Sequence, residues 1–241
     1  MANSKRVSVR KLGTLSRLSI NTKFRRSKKL RNRRTRGGVW SKSLGVLRLT
    51  LLYAAITNNM KDFNSDIKYA NNKNINIVDT IKGRTALIWA AYNNNLEMVK
   101  ALLDKGADVN VVDTVEGRTA LICAAYNNNL EMVEALLDKG ADVNVVDTVK
   151  GRTALICAAY HENLEMVKAL LDKGADVNVV EKNEGKTALI WAAISENLEM
   201  VKALLDKGAN SEIKAKNGKR AIDYATGKIK DILMDKASTF K

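Results

Sequence analysis

Proline is missing from this sequence altogether, so no helix can open on the ring whose fixed φ suits a first turn. A single histidine, His161, leaves no second imidazole from which to build a metal centre or an acid–base pair. The two cysteines, Cys123 and Cys157, are too few for a disulfide scaffold and fit a reducing compartment. The longest apolar stretch, GVLRLTLLYAAI, falls short of the roughly 18 residues of a membrane span and carries Arg48. The basic N-terminus is not followed by the apolar run of a secretory signal. No phosphate-cradling glycine loop and no nucleophile elbow occurs.

Acid is missing too, but only from one end. Residues 1–48 hold 16 Lys and Arg and no Asp or Glu, whereas residues 49–241 hold 25 basic and 26 acidic residues, a net charge of −1. The formal charge of +15 therefore belongs to one segment. That segment, with KFRRSKKLRNRRTRGG at its centre, carries too much like charge and too little apolar periodicity to fold alone. It reads as a disordered basic tail. Its Arg25, Arg26, Lys28, Lys29, Arg31, Arg33, Arg34 and Arg36 are candidate contacts to a polyanion, either nucleic acid or acidic lipid. The same cluster is compatible with nuclear targeting or an organelle transit peptide.

The remainder is rich enough in apolar residues to bury a core, and it repeats. TALIWAAY at 85–92 returns as TALICAAY at 119–126 and 153–160 and as TALIWAAI at 187–194, always 34 residues on. Self-similarity at this period argues for a stacked array. Within a unit, Thr85 suits an N-cap and a short helix follows. Asn93, Asn94 and Asn95 interrupt it, because Asn tolerates left-handed backbone and competes for backbone hydrogen bonds. Asn95 then caps a second helix with Leu96, Val99, Leu102 and Leu103 on one side, ended by Gly106 as a left-handed residue. Two such helices cannot bury their own apolar faces, so neighbours must stack on both sides. The paired alanines, Ala90 and Ala91 and their repeats, let the first helices approach closely.

These units resemble ankyrin repeats. TALI stands where that family has T-P-L-H, the Ala pair follows in register, and NLEMVKALLDKGADVN matches the second helix and its turn. The resemblance implies an all-α solenoid of stacked helix-turn-helix units with hairpin-like connecting loops, here preceded by the basic tail. Ala86, Ala120, Ala154 and Ala188 replace the family's Pro, and Ile88, Ile122, Ile156 and Ile190 replace its His. The units also run one residue longer than the usual 33. Longer or more mobile hairpin tips and lower stability than in an idealised array are therefore expected. The divisions read as a tail at 1–48, a degenerate capping repeat at 49–84, repeats at 85–118, 119–152, 153–186 and 187–217, and a C-terminal cap and tail at 218–241. The N-terminal cap keeps a second-helix remnant around Phe63 and Ile67. The C-terminal one keeps Ile222, Tyr224 and Ala225, with Lys228, Lys230, Asp231 and Asp235 as polar additions.

Nothing in the units looks catalytic. Glu97 and Asp104 recur in every unit, and a site that does chemistry is usually unique. His161 reads as a solvated loop residue. Cys123 and Cys157 share a register on helices about 8–10 Å apart, beyond the ~7 Å a disulfide tolerates, and read as small buried hydrophobes. The family resemblance implies another kind of site, a docking face on the hairpin tips and the end of the first helix. By register it comprises Arg84, Arg118, Arg152 and Lys186, then Tyr92, Tyr126, Tyr160 and Ile194, then Asn93, Asn127, His161 and Ser195. Tyr and Arg are frequent binding hot spots. The Trp-to-Cys exchange at 89, 123, 157 and 191 reads as a packing difference between outer and inner repeats.

The expectation is a non-enzymatic, monomeric, cytoplasmic protein that needs no cofactor and binds a protein partner through its concave face. Richness in Asn, Lys and Ile leans toward an AT-rich bacterial genome, which leaves open a host-directed effector secreted by an intracellular bacterium. The alternative is a nucleic-acid-associated protein whose tail binds polyanions while the repeats recruit a partner.

Overall fold

The structure, a computed structural model, describes residues 44–71 and 74–239. Residues 1–43 of the basic tail, with its eight candidate polyanion contacts from Arg25 to Arg36, lie outside these residues, whereas 44–48, read from the sequence as the end of the tail, form the first turn of a helix because their apolar residues continue into LTLLYAAI. Helices α1 (Leu44–Ile56) and α2 (Met60–Asp66) are followed by a 3-10 turn at Ile67–Tyr69. Four helix pairs come next: α3 (Ala86–Tyr92) with α4 (Leu96–Asp104), α5 (Ala120–Tyr126) with α6 (Leu130–Asp138), α7 (Ala154–Tyr160) with α8 (Leu164–Asp172), and α9 (Ala188–Ile194) with α10 (Leu198–Asp206). A 3-10 turn at Ala221–Asp223 and α11 (Gly227–Thr239) complete the order. The described residues contain no strand, and the first helices stack on one another in chain order.

Each pair forms for the reasons its letters suggest. The Thr85 hydroxyl accepts from the Ile88 amide and the Asn95 carboxamide from the Met98 amide, so both helices start capped. Asn94, with φ at 57°, makes the bend between them. At the far end Gly106 takes φ 77°, and the Ala107 amide reaches back to the Leu102 carbonyl. Ala90 and Ala91 and their counterparts in the other three pairs are fully buried, which is what lets neighbouring helices pack closely. In α4 the buried set is Met98, Val99, Leu102 and Leu103. Leu96 is only half-buried and Met98 joins the buried set instead, because residue 98 lies on the arc of Val99 and Leu102.

Cross-links tie one pair to the next. The Asn110 carboxamide accepts from the Asp142 amide at 2.7 Å and donates to the Gly140 carbonyl at 3.1 Å, and Asn144 and Asn178 do the same one unit further on. A second ladder joins the bends, where Asn95, Asn129 and Asn163 donate to Asn58, Asn94 and Asn128.

The loop tips bond to one another through the backbone, from the Thr114 amide to the Lys82 carbonyl and so on to Lys216 and Glu184. Gly83, at φ 65°, fits against the next tip where a side chain would meet Thr114 at 2.7 Å. The extra residue per unit is held in place, since one oxygen of Asp79 accepts from the amides of both Ile81 and Lys82.

The ends differ from the middle as capping units do. Phe63 is fully buried, Ile67 is half-buried at the start of the 3-10 turn, and Lys228, Lys230, Asp231 and Asp235 face solvent.

Candidate protein-binding face

An acid stands at the base of the first four loop tips, at Asp79, Asp113, Asp147 and Glu181, and Ala215 takes that place at the fifth. One of the acid's oxygens is committed to tip amides: Val115 and Glu116 at Asp113, Val149 and Lys150 at Asp147, and Glu184 at Glu181. The other oxygen faces the aromatic end of the first helices and takes one side-chain donor, an indole, a guanidinium or a phenol according to the unit.

Asp79 receives the Trp89 indole N–H at 2.9 Å. Asp113 receives Arg84 Nε at 2.9 Å, and the same guanidinium reaches Glu116 at 2.7 Å. Asp147 receives the Tyr126 hydroxyl at 2.7 Å. Glu181 receives Arg152 Nε at 3.4 Å.

Residue 116 shapes this assignment. Where the first and third tips have Lys82 and Lys150, Glu116 is acidic and draws in both Arg84 and Arg118, as Glu184 draws in Lys186 at the fourth tip. Arg118 is thereby kept away from Asp147, which is left to the tyrosine. Burial, with Cys157 and Asp147 adding to it, pushes the Tyr126 hydroxyl well above the usual tyrosine range.

The rings end up in different states. The Arg84 guanidinium lies 4.5 Å from the Tyr92 ring centre and 4.9 Å from that of Trp89, and Arg152 lies 4.6 Å from Tyr160. Tyr92 is 45% exposed and Tyr160 46%, each resting on a guanidinium that is itself buried. Tyr160 also packs edge-on against Trp191 at 4.9 Å and His161 at 5.3 Å. Tyr126 rests on Arg118 in the same way, at 4.4 Å, but its hydroxyl is bonded to Asp147 and the ring is only half-exposed. In the last unit Lys186 sits 4.1 Å from the Trp191 ring and pairs with Glu184 at 2.6 Å, and Ile194 replaces the tyrosine at 37% exposure.

A family model for ankyrin repeats matches the chain over residues 51–147, 107–181, 146–217 and 179–236. The chain belongs to the ankyrin-repeat family. A search of curated proteins finds no match to it. Ankyrin repeats are protein–protein interaction modules, and the family is generally non-catalytic.

On this ankyrin array the residues expected to dock a partner divide. Tyr92, Tyr160 and Ile194 face solvent. Arg84 and Arg152 do not: both are buried, because each neutralises an acid of the following unit, and this corrects their reading as surface residues. Arg118 and Lys186 are partly covered. Asn93 and Asn127 donate to the Ala55 and Ala91 carbonyls of the preceding helix and so act as stitches between repeats. His161 is half-buried against Tyr160 and makes no such stitch, while Ser195 turns back on its own helix.

The basal acids were missed in the sequence. Their signal was an acid at one register of all four loops, and it reads as a tip residue until the amides it gathers are seen. Cys123 and Cys157 are free and buried, and burial pushes both thiols up to about 12, so neither is a nucleophile at neutral pH. Trp89 and Trp191 are half-buried where the two cysteines are fully buried, so the outer-inner packing difference is real. Among the described residues no group of three potential ligands could hold a metal ion, and no helix is long and apolar enough to cross a membrane.

Proposed function

We propose that this ankyrin array is a non-enzymatic module that binds a protein partner on its concave face, with Tyr92 and Tyr160 as the principal contacts. The observation that carries the reading is the pairing of an exposed ring with a buried guanidinium in the first and third repeats. A ring held from beneath loses little freedom on binding, and amphipathic aromatics are the residues that dominate protein interfaces. Tyr126, tied to Asp147, contributes to the array rather than to the partner. His161, Ile194 and the partly covered Arg118 and Lys186 border the contact. The test is affinity capture by the full chain. Tyr92→Ala with Tyr160→Ala should abolish retention of a specific partner, and unchanged retention would refute the face.

A second reading rests on the charge split, with 16 basic residues and no acid before residue 49. Such a segment binds polyanions in a salt-dependent manner, and the repeats would then recruit a partner to nucleic acid. A gel-shift comparison of the full chain with one beginning at Gly45 separates the two, since loss of salt-sensitive binding on truncation is what this reading requires. The compositional lean toward an AT-rich genome suggests the setting, an effector delivered into a host cell, which a translocation reporter fused to the chain would test.

A further inference from the structure

The loop tips carry a charge pattern that the chain itself uses only in part, since Glu116 holds Arg84 and Arg118 and Glu184 holds Lys186 while the lysines of the row pair with no acid. At one tip register the residues are Lys82, Glu116, Lys150 and Glu184, so the sign of charge alternates through units that otherwise differ by few letters. No ion pair joins successive members of this row among the described residues. The Lys82 and Lys150 ammonium groups have no carboxylate partner and hang 5.6–5.9 Å from ring centres. Glu184 is half-exposed and meets only Lys186. Beside the charges runs an apolar row: Ile81, Val115 and Val149 are 53%, 52% and 54% exposed, and Val112, Val146 and Val180 also face solvent. At the fourth tip the register of Ile81, Val115 and Val149 passes to Asn183.

We propose that a second copy of this chain covers the row, in an antiparallel arrangement whose two-fold axis passes between the second and third tips. Reversing the row K-E-K-E gives E-K-E-K, so Lys82 faces Glu184 of the other copy and Glu116 faces Lys150, each twice by symmetry. An in-register parallel pairing puts like on like at every position, as does an antiparallel one slipped by a single unit, so among closed two-fold pairings this register is the one that matches opposite charges at all four tips. In that register Val115 lies opposite the other copy's Val149, on both sides of the axis. Ile81 and Asn183 fall at the ends. The contact thus has an apolar centre and a charged rim, the usual anatomy of an interface. With units about 10 Å apart, four tips span about 30 Å. The row is narrow, which places the association at the weak end, on the order of micromolar.

Sedimentation velocity of the full chain, at physiological ionic strength and across roughly 1–200 µM, tests this. The 26.6 kDa chain should move toward twice its mass with rising concentration. Lys82→Glu and Glu184→Lys should each weaken the dimer tenfold or more, and the two together should restore it to within about threefold. Lys82 and Glu184 are three units apart in one chain, too far for rescue from within. Val115→Ser, at an exposed position that leaves the helices untouched, should weaken the dimer in the same way without altering the circular dichroism spectrum. A monomer at all concentrations, single variants that dimerise like the parent, or a double variant as weak as the singles would each overturn the proposal.

Discussion

The turn after each second helix and the inner end of each first helix are written in nearly the same letters four times, yet only the turn is built the same way four times. At the turn, Asn76, Asn110, Asn144 and Asn178 accept from the following unit at 2.7–2.8 Å without exception. At the inner end, Asp79, Asp113, Asp147 and Glu181 take an indole, a guanidinium, a phenol and a second guanidinium. Every turn asparagine meets a backbone amide, which no substitution short of proline removes. Each basal acid offers one oxygen to several side chains, and a single charge at residue 116 redistributes them. Repetition thus preserves the scaffold while the inner ends of the first helices, the candidate binding face, diversify.

The difference can be broken most forcefully at Arg84. Arg84→Met leaves Asp113 buried without its cation and should destabilise the chain by about 3–5 kcal/mol in a urea titration, well beyond a typical substitution. A pH signature accompanies it. Burial works against the charge on Asp113, but the Glu116 and Val115 amides and Arg84 outweigh it and hold the carboxyl below its ordinary 3.8. Its contribution is complete above 3.8 and falls away as pH drops below that value through the lowered one. The stability loss on acidification should be shallower in Arg84→Met, because the cation is one source of the shift.

The uniform side is probed by Asn110→Ala and Asn144→Ala. Each removes an acceptor and a donor between units and should cost about 1–3 kcal/mol, with the two values agreeing to within about 0.5 kcal/mol. A smaller asymmetry is expected between the two tryptophans. Trp89→Phe withdraws the donor from Asp79 and should cost about 1 kcal/mol, whereas the buried Trp191 indole N–H has no partner and Trp191→Phe should be neutral or slightly stabilising. Thermal melts of the two variants would compare them directly.

Most of the scaffold was legible because it is local. Thr85, Asn95 and Gly106 cap and end helices within four residues of themselves, and the alanine pairs announce close packing. The binding face was less legible because its contacts span units. Arg84 meets acids 29 and 32 residues away, so its burial depends on a glutamate in the next repeat. By register alone Arg84, Arg118, Arg152 and Lys186 are one ladder, and Tyr92, Tyr126 and Tyr160 are one stripe. Each of the three arginines still stacks on the tyrosine of the next helix, at 4.4–4.6 Å, but the acids that the guanidinium groups and hydroxyls reach differ from unit to unit.

The tyrosines give the most direct measurement of that difference. Tyr92→Phe, Tyr126→Phe and Tyr160→Phe remove the same hydroxyl from three nearly identical helices, and chemical denaturation of the full chain compares them. Tyr126→Phe should cost about 1–2 kcal/mol because it strips Asp147 of its donor, while the other two should stay within about 0.5 kcal/mol of the parent. Equal losses at all three positions, or none at Tyr126, would contradict a face in which one acid oxygen per unit selects its own partner.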